Sequence, residues 1–329
     1  MPSRLGAELE GRHIFITGGA GFIGVSIINR LVRQNEIAVY DNLERNALKE
    51  SDVANHPNLR VIRGDILDFH SLKSAIPPDT DTVIHLAAIA GIDTVIKNPV
   101  KTMEVNMVGT YNLLRSLGEL SVMDRIERLV NFSTSEVFGI QAFRVEESAP
   151  TNLQPVGEAR WTYSVSKLAG EHLVYSYHKQ YGLRGTIVRP FNVYGPGQIG
   201  EGAIHNFVTR AIRGEPLVVH GDGDQIRSWC YIDDLVDAVV LILSREVAVG
   251  EVFNIGNPRS TITVLSLAEK VVHLSGSRSS IQHVPKTYRD VELRIPNIDK
   301  AMNLLGFHPR IDLDEGLGRT IEWYRKREQ

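Results

Sequence analysis

Cysteine is almost missing from this 329-residue chain. Cys230 stands alone, which excludes an intramolecular disulfide and suits a reducing compartment. Long apolar runs are missing as well: the longest, around Val239 to Leu243, is far too short to span a membrane. No basic block disturbs a balance of 36 lysines and arginines against 39 acids, so nucleic acid is not an expected partner. The first residues, Met1 to Arg12, are polar and hold no signal-peptide core. No His/Cys group has metal-ligand spacing, so no metal is expected, and no repeat or low-complexity tract is present. With 43% hydrophobic and 23% charged residues, the expectation is a soluble, cytoplasmic, globular protein with no membrane partner.

What the chain does have is glycine in one telling place. Thr17-Gly18-Gly19-Ala20-Gly21-Phe22-Ile23-Gly24 follows the apolar run His13–Ile16 and opens a helically periodic stretch to Leu31. Strand, glycine turn, helix is the context in which backbone N–H groups hold a dinucleotide pyrophosphate. Gly18 allows the tight turn, Gly21 lets the backbone approach the phosphates, and Gly24 lets helix and strand pack closely. The next apolar run ends at Asp41, with Asn42 beside it, about 20 residues on, where a ribose-binding acid is expected. An acid there repels a 2′-phosphate, so the expected cofactor is NAD rather than NADP.

Apolar runs at His13–Thr17, Ile37–Asp41, Leu59–Gly64, Asp81–Ala88, Arg128–Ser133 and Arg184–Pro190 alternate with helical stretches such as Val100–Leu120 and Tyr163–Tyr181. Nearly continuous apolar strands between helices imply an α/β fold, a doubly wound parallel sheet covered on both faces. After Phe191 the character changes. Asn192–Asp224 is Gly-rich and reads as a loop-based region, Tyr231–Leu243 as helix and Val252–Gly256 as strand. Thr263–Arg327 reads as two helical stretches with turns. The expected division is a Rossmann domain of residues 1–190 and 231–257, interleaved with a smaller substrate-binding region of residues 191–230 and 258–329.

Tyr163 and Lys167 lie four apart, which puts both on one helix face. A phenol with a pKa of about 10 is a poor base at neutral pH, and a nearby ammonium and a nicotinamide cation both favour its ionised form. Such a tyrosine can take the proton from an alcohol as hydride leaves for NAD. His85 reads as a packed strand residue, Cys230 as a buried one, and Trp323 and Tyr324 as closing the last helix onto the core.

From about Gly11 to Tyr324 the chain resembles the extended short-chain dehydrogenase/reductase superfamily, in its nucleotide-sugar branch, the NAD-dependent epimerases and dehydratases. The matching pieces are Thr17–Gly24, Gly64-Asp65, His85–Ala88, Asn106, Phe132–Gly139, Tyr163–Lys167, Arg189–Gly197, Gly221–Asp234 and Phe253–Gly256. The resemblance implies that Asp65 and Ile66 border the adenine, and that Leu86, Ala87, Ala88 and Asn106 belong to the cofactor site. It implies that Asn192 meets the phosphates of a nucleotide-diphosphate sugar and Arg227 its diphosphate, a task suited to a guanidinium fork. It also implies a homodimer.

In that family Thr134 places the hydroxyl that bonds the sugar oxygen beside the tyrosine. Glu136 goes beyond plain C4 oxidation, and typical 4-epimerases lack it. Once C4 is a ketone, C5 is acidic and a carboxylate on C5 is a β-keto acid, which a nearby glutamate can act on. The Thr134-Ser135-Glu136 order is similar to UDP-glucuronic acid decarboxylases, with Ser135 where dTDP-glucose 4,6-dehydratases carry aspartate. The runs Arg160–Lys167, Asn254–Pro258 and Tyr288–Pro296 lean the same way, and Arg294 matches the decarboxylase arginine that acts at C5 as proton donor. Phe138, where tyrosine is usual, and Gly195–Gln198 look more like epimerases. Asp93 stands where glucuronic acid 4-epimerases usually have arginine. The expected activity is decarboxylation of a UDP-hexuronate, then 4,6-dehydration, then 4-epimerisation. The non-enzymatic alternative is an NAD-sensing binding protein on the same fold.

Overall fold

The structure is a computed structural model that describes residues 9–286 and 290–328. Strands that are apolar on both faces can be satisfied only between two helical layers. The central sheet has seven strands, of which the edge strand β3 is half exposed: β1 (His13–Thr17), β2 (Glu36–Asp41), β3 (Leu59–Arg63), β4 (Thr82–His85), β5 (Arg128–Phe132), β7 (Gly185–Pro190) and β12 (Val252–Ile255). Their order is β12-β7-β5-β4-β1-β2-β3, and every pairing is parallel. The order reverses between β1 and β4, which opens a crevice at the carboxyl ends of the strands.

A second sheet joins β6 (Gln141–Val145), β10 (Ile226–Ser228), β13 (Thr261–Thr263) and β15 (Leu293–Pro296), in the order β13-β10-β15-β6. Two parallel pairs complete the strands: β8 (Val193–Tyr194) with β11 (Cys230–Tyr231), and β9 (Leu217–His220) with β14 (Ile281–Val284). The central sheet has a core on each face. One contains Ile27, Ile28, Val239 and Ile242 from the helices Phe22–Leu31 and Ile232–Ser244. The other contains Leu72, Leu113, Leu117 and Val174 from the helices Phe69–Ala75, Gly109–Glu119 and Thr162–Tyr181.

The doubly wound parallel sheet is therefore as expected, and several local readings need correction. The Asp81–Ala88 run is strand only to His85, because Leu86 N–H bonds Thr17 C=O and the chain then leaves the sheet. The Val100–Leu120 stretch is broken into the helices Pro99–Met103 and Gly109–Glu119 by a π-helical segment at Glu104–Val108. Asn192–Asp224 is not loop alone. It holds the helix Ala203–Arg213, stabilised by burying Ile204, Phe207, Val208 and Ala211, a tertiary contribution that glycine-rich flanks conceal. Among its described residues the C-terminal part carries three helices, Val264–Ser275, Asp299–Leu305 and Leu313–Glu328, rather than two.

Phe253 is fully buried in edge strand β12. Phe253→Ala should cost about 3–5 kcal/mol of unfolding free energy through lost burial and a residual cavity. Urea denaturation of the two proteins measures the difference.

Candidate active site

The glycine loop takes the shape that its sequence requires. Gly18 sits at φ +73°, and a Cβ there would strike the Ala87 backbone; one at Gly24 would strike the backbone of Gly19. Around Gly21 an added Cβ would meet only the Gly18 carbonyl oxygen, at 3.5 Å, so this side of the turn is open. The helix Phe22–Leu31 starts with no side-chain cap and no acid in its first turn. The N–H groups of Phe22, Ile23 and Gly24 are thus presented to an anion without internal competition. Asp41 ends β2 behind the loop, and its carboxylate accepts hydrogen bonds from Ala20 N–H (3.0 Å) and Leu43 N–H (2.7 Å). Burial pushes its pKa up against those two bonds. Its second lone pairs remain for a ribose hydroxyl. Next to it, Asn42 accepts from Glu44 N–H at 3.1 Å.

Along the same sheet edge, Asp65 accepts from Leu67 N–H (2.9 Å), while Ile66 is buried and its carbonyl accepts from Asn112 (3.1 Å). Leu86, Ala87 and Ala88 follow β4, with Ala87 against the glycine turn. Asn106 explains the π-helical segment in which it sits. Its side-chain oxygen accepts from Ile89 N–H (2.8 Å), and its amide donates to Ile89 C=O and Ser166 Oγ (both 3.0 Å). The amide clamps the loop after β4 to the helix Thr162–Tyr181, the kind of functional distortion where π-bulges recur.

His85 lies under that loop, fully buried. Its ring nitrogens face Thr17 Oγ1 (2.6 Å) and Thr110 Oγ1 (2.9 Å), and burial followed by the Lys167 charge lowers its pKa to about 3. It packs as a neutral ring, as expected. Cys230 is likewise buried, with its thiol pushed up by burial. Tyr324 is buried with its hydroxyl 2.9 Å from His205, and it closes the last helix onto the core.

Tyr163 and Lys167 stand on the first turns of Thr162–Tyr181, Tyr163 half-buried and Lys167 buried. The Tyr163 hydroxyl is hydrogen-bonded with the side chain of Thr134, which caps the short turn Ser135–Phe138 by accepting from Glu136 N–H (3.2 Å). Here the electrostatics depart from expectation. Burial raises the phenol pKa, the Glu136 carboxylate raises it further, and the opposing influences are Thr134 and Arg294 rather than Lys167. Burial lowers Lys167 to about 8 against the attraction of Glu171, one helix turn further on. Glu171 is itself held by Arg189 through Nε (2.9 Å) and Nη2 (2.7 Å), and it bonds Ser133.

The arginine expectations converge on this centre from the second sheet. Arg227 of β10 and Arg294 of β15 are register partners, so the parallel ladder sets two cations side by side. Arg294 Nη1 is 3.6 Å from Glu136 Oε1, and Arg227 Nη2 is 3.4 Å from Asp290. Burial and the Arg294 charge lower Arg227 to about 10; Arg294 is also lowered, first by burial. Asn192 sits nearby in left-handed backbone (φ 38°), its amide donating to Ser228 C=O at 2.8 Å. An asparagine there is tolerated, and such outliers gather at functional sites. Ser135 is buried in the Glu136 turn.

Three participants drew no role from sequence. Arg160, Asp290 and Glu171 all contact these groups, and only the Lys167-x-x-x-Glu171 spacing was a usable signal, since i,i+4 pairs share a helix face. Of the Tyr288–Pro296 run, Tyr288 and Arg289 lie outside the described residues. Among those residues, His13, Glu36 and Asp79 form one cluster that could hold a metal, at the opposite end of β1 from the glycine loop.

A parallel sheet, a glycine turn closed against the neighbouring loop, and a Tyr-x-x-x-Lys helix beside it with the lysine buried define an extended short-chain dehydrogenase/reductase. Residues 14–256 match the NAD dependent epimerase/dehydratase family, and the chain belongs to it. It is 36% identical to UDP-glucuronic acid decarboxylase 3 of Arabidopsis thaliana, over 95% of this chain and 89% of that protein. It is 33% identical to UDP-N-acetyl-alpha-D-glucosaminuronate decarboxylase of Bacillus cytotoxicus, over 96% and 98%. Among solved structures, UDP-glucuronic acid 4-epimerase from Bacillus cereus, in complex with UDP-glucuronic acid and NAD, superposes with a TM-score of 0.85 at 29% identity, over 95% and 99%. The cofactor is NAD, and the open glycine turn, the uncapped helix start and Asp41 fit it. No helix among the described residues is long and apolar enough to cross a membrane.

The low pKa of His85 has a thermodynamic consequence with a definite sign. The unfolded ring takes a proton near pH 6.5 and the folded ring only near 3, so its contribution is intact above 6.5 and is lost as pH falls through this window. Denaturation midpoints from pH 7 down to 4 should fall more steeply for the wild type than for His85→Gln.

Proposed function

We propose that this enzyme oxidises a UDP-linked hexuronate at C4 and releases the C5 carboxylate as carbon dioxide. The observation that carries the reading is the joint placement of Glu136 and Arg294 beside the Tyr163–Thr134 pair. A 4-epimerase needs only the C4 machinery, whereas a glutamate–arginine pair here can serve chemistry at the neighbouring carbon. The decarboxylases of Arabidopsis thaliana and Bacillus cytotoxicus, aligned over nearly the whole chain, support the same reading.

NAD, when bound, supplies a hydride acceptor and a positive charge that offsets the cost of the phenolate. Tyr163 takes the C4 hydroxyl proton as hydride leaves C4, Thr134 bonds that oxygen, Arg294 offsets part of the developing negative charge, and Lys167 assists from one helix turn along. The resulting ketone accepts the electron pair of the C5–carboxyl bond when that bond breaks, giving carbon dioxide and an enolate. Arg294, whose pKa burial lowers, then gives C5 its proton, with Glu136 holding the guanidinium. Asn192 and Arg227, with Ser135, belong to the substrate side and Arg227 to its diphosphate. The amides after Gly21, together with Asp41, Asn42, Asp65, Ile66 and Leu86–Ala88, hold the cofactor, and Asn106 acts by clamping the loop. Residues 1–190 and 231–257 are assigned to the cofactor unit and residues 191–230 and 258–329 to the sugar-nucleotide unit, with β6 of the first stretch pairing into the second sheet.

We assign the protein to the cytoplasm, which its buried free cysteine suits. We also assign it a homodimeric state. Tyr111 and Val108, both exposed, line a groove of about 460 Å³ with Met107, Ala169 and Leu173 between two helices, an apolar face that a second copy would cover.

Incubation of the NAD-loaded enzyme with UDP-glucuronate should release carbon dioxide and leave a UDP-4-ketopentose, or a UDP-pentose where the hydride returns to C4, and Glu136→Gln should slow this at least about 100-fold. An unchanged product mass assigns epimerisation, loss of water from dTDP-glucose assigns dehydration, and full turnover by the variant removes Glu136 from the chemistry. For the dimer, Tyr111→Glu should shift sedimentation from two subunits to one; a monomeric wild type refutes the assignment.

A further inference from the structure

Arg160 lies in the turn Ala159–Trp161 that leads directly into the helix of Tyr163. Its guanidinium is buried, 5.0 Å from the centre of the Trp161 ring, whose indole N–H is fixed by the Glu158 carboxylate at 3.0 Å. One nitrogen, Nη2, is 2.7 Å from Asp290 Oδ1 and 3.7 Å from Glu136 Oε1. Asp290 accepts from Val291 N–H (2.8 Å) with that same oxygen, while its other oxygen faces Arg227 (3.4 Å) and the Lys286 ammonium (3.9 Å). Glu136 in turn lies between Arg160 and Arg294, at 3.7 and 3.6 Å.

The arrangement is a chain of alternating charge: Arg227, Asp290, Arg160, Glu136, Arg294. Three buried guanidinia repel one another, and among the described residues Asp290 and Glu136 are the carboxylates set between them. Asp290 takes the short hydrogen bond from Arg160. Glu136 is left between two longer ion pairs, at 3.7 Å to Arg160 and 3.6 Å to Arg294, close enough to be oriented by both.

We propose that Arg160 and Asp290 are a positioning pair for Glu136. Asp290 draws Arg160 away, and Arg160 sets the place of the carboxylate that serves the C5 step. Neither residue is assigned contact with the reacting atoms. The proposal rests on the decarboxylation reading above, in which the C5–carboxyl bond gives its electron pair to the C4 ketone as carbon dioxide leaves. Without Asp290, Arg160 closes on Glu136 and takes it out of position, so the C5 step suffers while the C4 step, run by Tyr163 and Thr134, continues.

Single-turnover reactions of the NAD-loaded enzyme with UDP-glucuronate separate the two steps: nicotinamide reduction reports C4, and carbon dioxide reports C5. Asp290→Asn and Arg160→Lys should each leave the C4 rate within about threefold and slow carbon dioxide release about tenfold or more. The double variant should be no slower than the worse single one, since the two act as a unit, and Asp290→Glu should recover most of the loss. Should Asp290→Asn fail to fold, Arg160→Lys, which keeps the buried charge, carries the test. Equal slowing of both steps, or additive losses, overturns the proposal. A decarboxylating wild type with unaffected variants removes the pair alone, while a wild type that reduces its nicotinamide and releases no carbon dioxide removes the decarboxylation reading and the pair's role with it.

Discussion

Charge buried in an apolar frame, and compensated only by other buried charge, is the constraint on which this site depends. Glu171 and Arg189 show it most plainly, since both side chains are almost fully enclosed and meet through two hydrogen bonds. A buried ion without a partner costs several kcal/mol, so neither residue is tolerable without the other. The pair joins the Tyr163 helix to strand β7, and its carboxylate is what keeps the buried Lys167 from falling further than about 8. Scaffold and chemistry share this interaction.

The same rule governs the sugar side at higher charge density. The parallel register of β10 and β15 makes neighbours of Arg227 and Arg294, an arrangement that is unfavourable by itself. Glu136 and Asp290 make it tolerable, and the surplus of cation suits an anionic substrate. Near the cofactor the logic is reversed. The helix start after Gly21 carries no acid, so its amides meet no internal anion, and Asp41 is tied to the Ala20 and Leu43 amides.

Much of the fold was legible because a parallel sheet buries both faces of its strands, and burial on both faces writes itself as continuous apolar sequence. The strands of the central sheet carried that mark, apart from the half-exposed edge strand β3, while the glycine turn and the Tyr163 helix were legible from their own local spacing. The helix Ala203–Arg213 did not, because its glycine-rich flanks resemble loop and its amphipathic face has meaning only beside Leu217 and Val271 in the same core. The π-helical segment at Asn106 was invisible for a related reason: its cause is a hydrogen bond to Ser166, sixty residues away.

The site divides along the same line. Sequence by itself determined the cofactor cradle, the Tyr163–Lys167 pair and the Thr134-Ser135-Glu136 turn, because each is local: a glycine conformation, a helical repeat, a capped turn. Tertiary structure decided the rest. That Arg160, Asp290, Arg227 and Arg294 surround Glu136, and that burial rather than Lys167 dominates the Tyr163 phenol, follows from segments distant in sequence being brought together. Electrostatic energies depend on distance and burial, and neither quantity exists until the chain has folded.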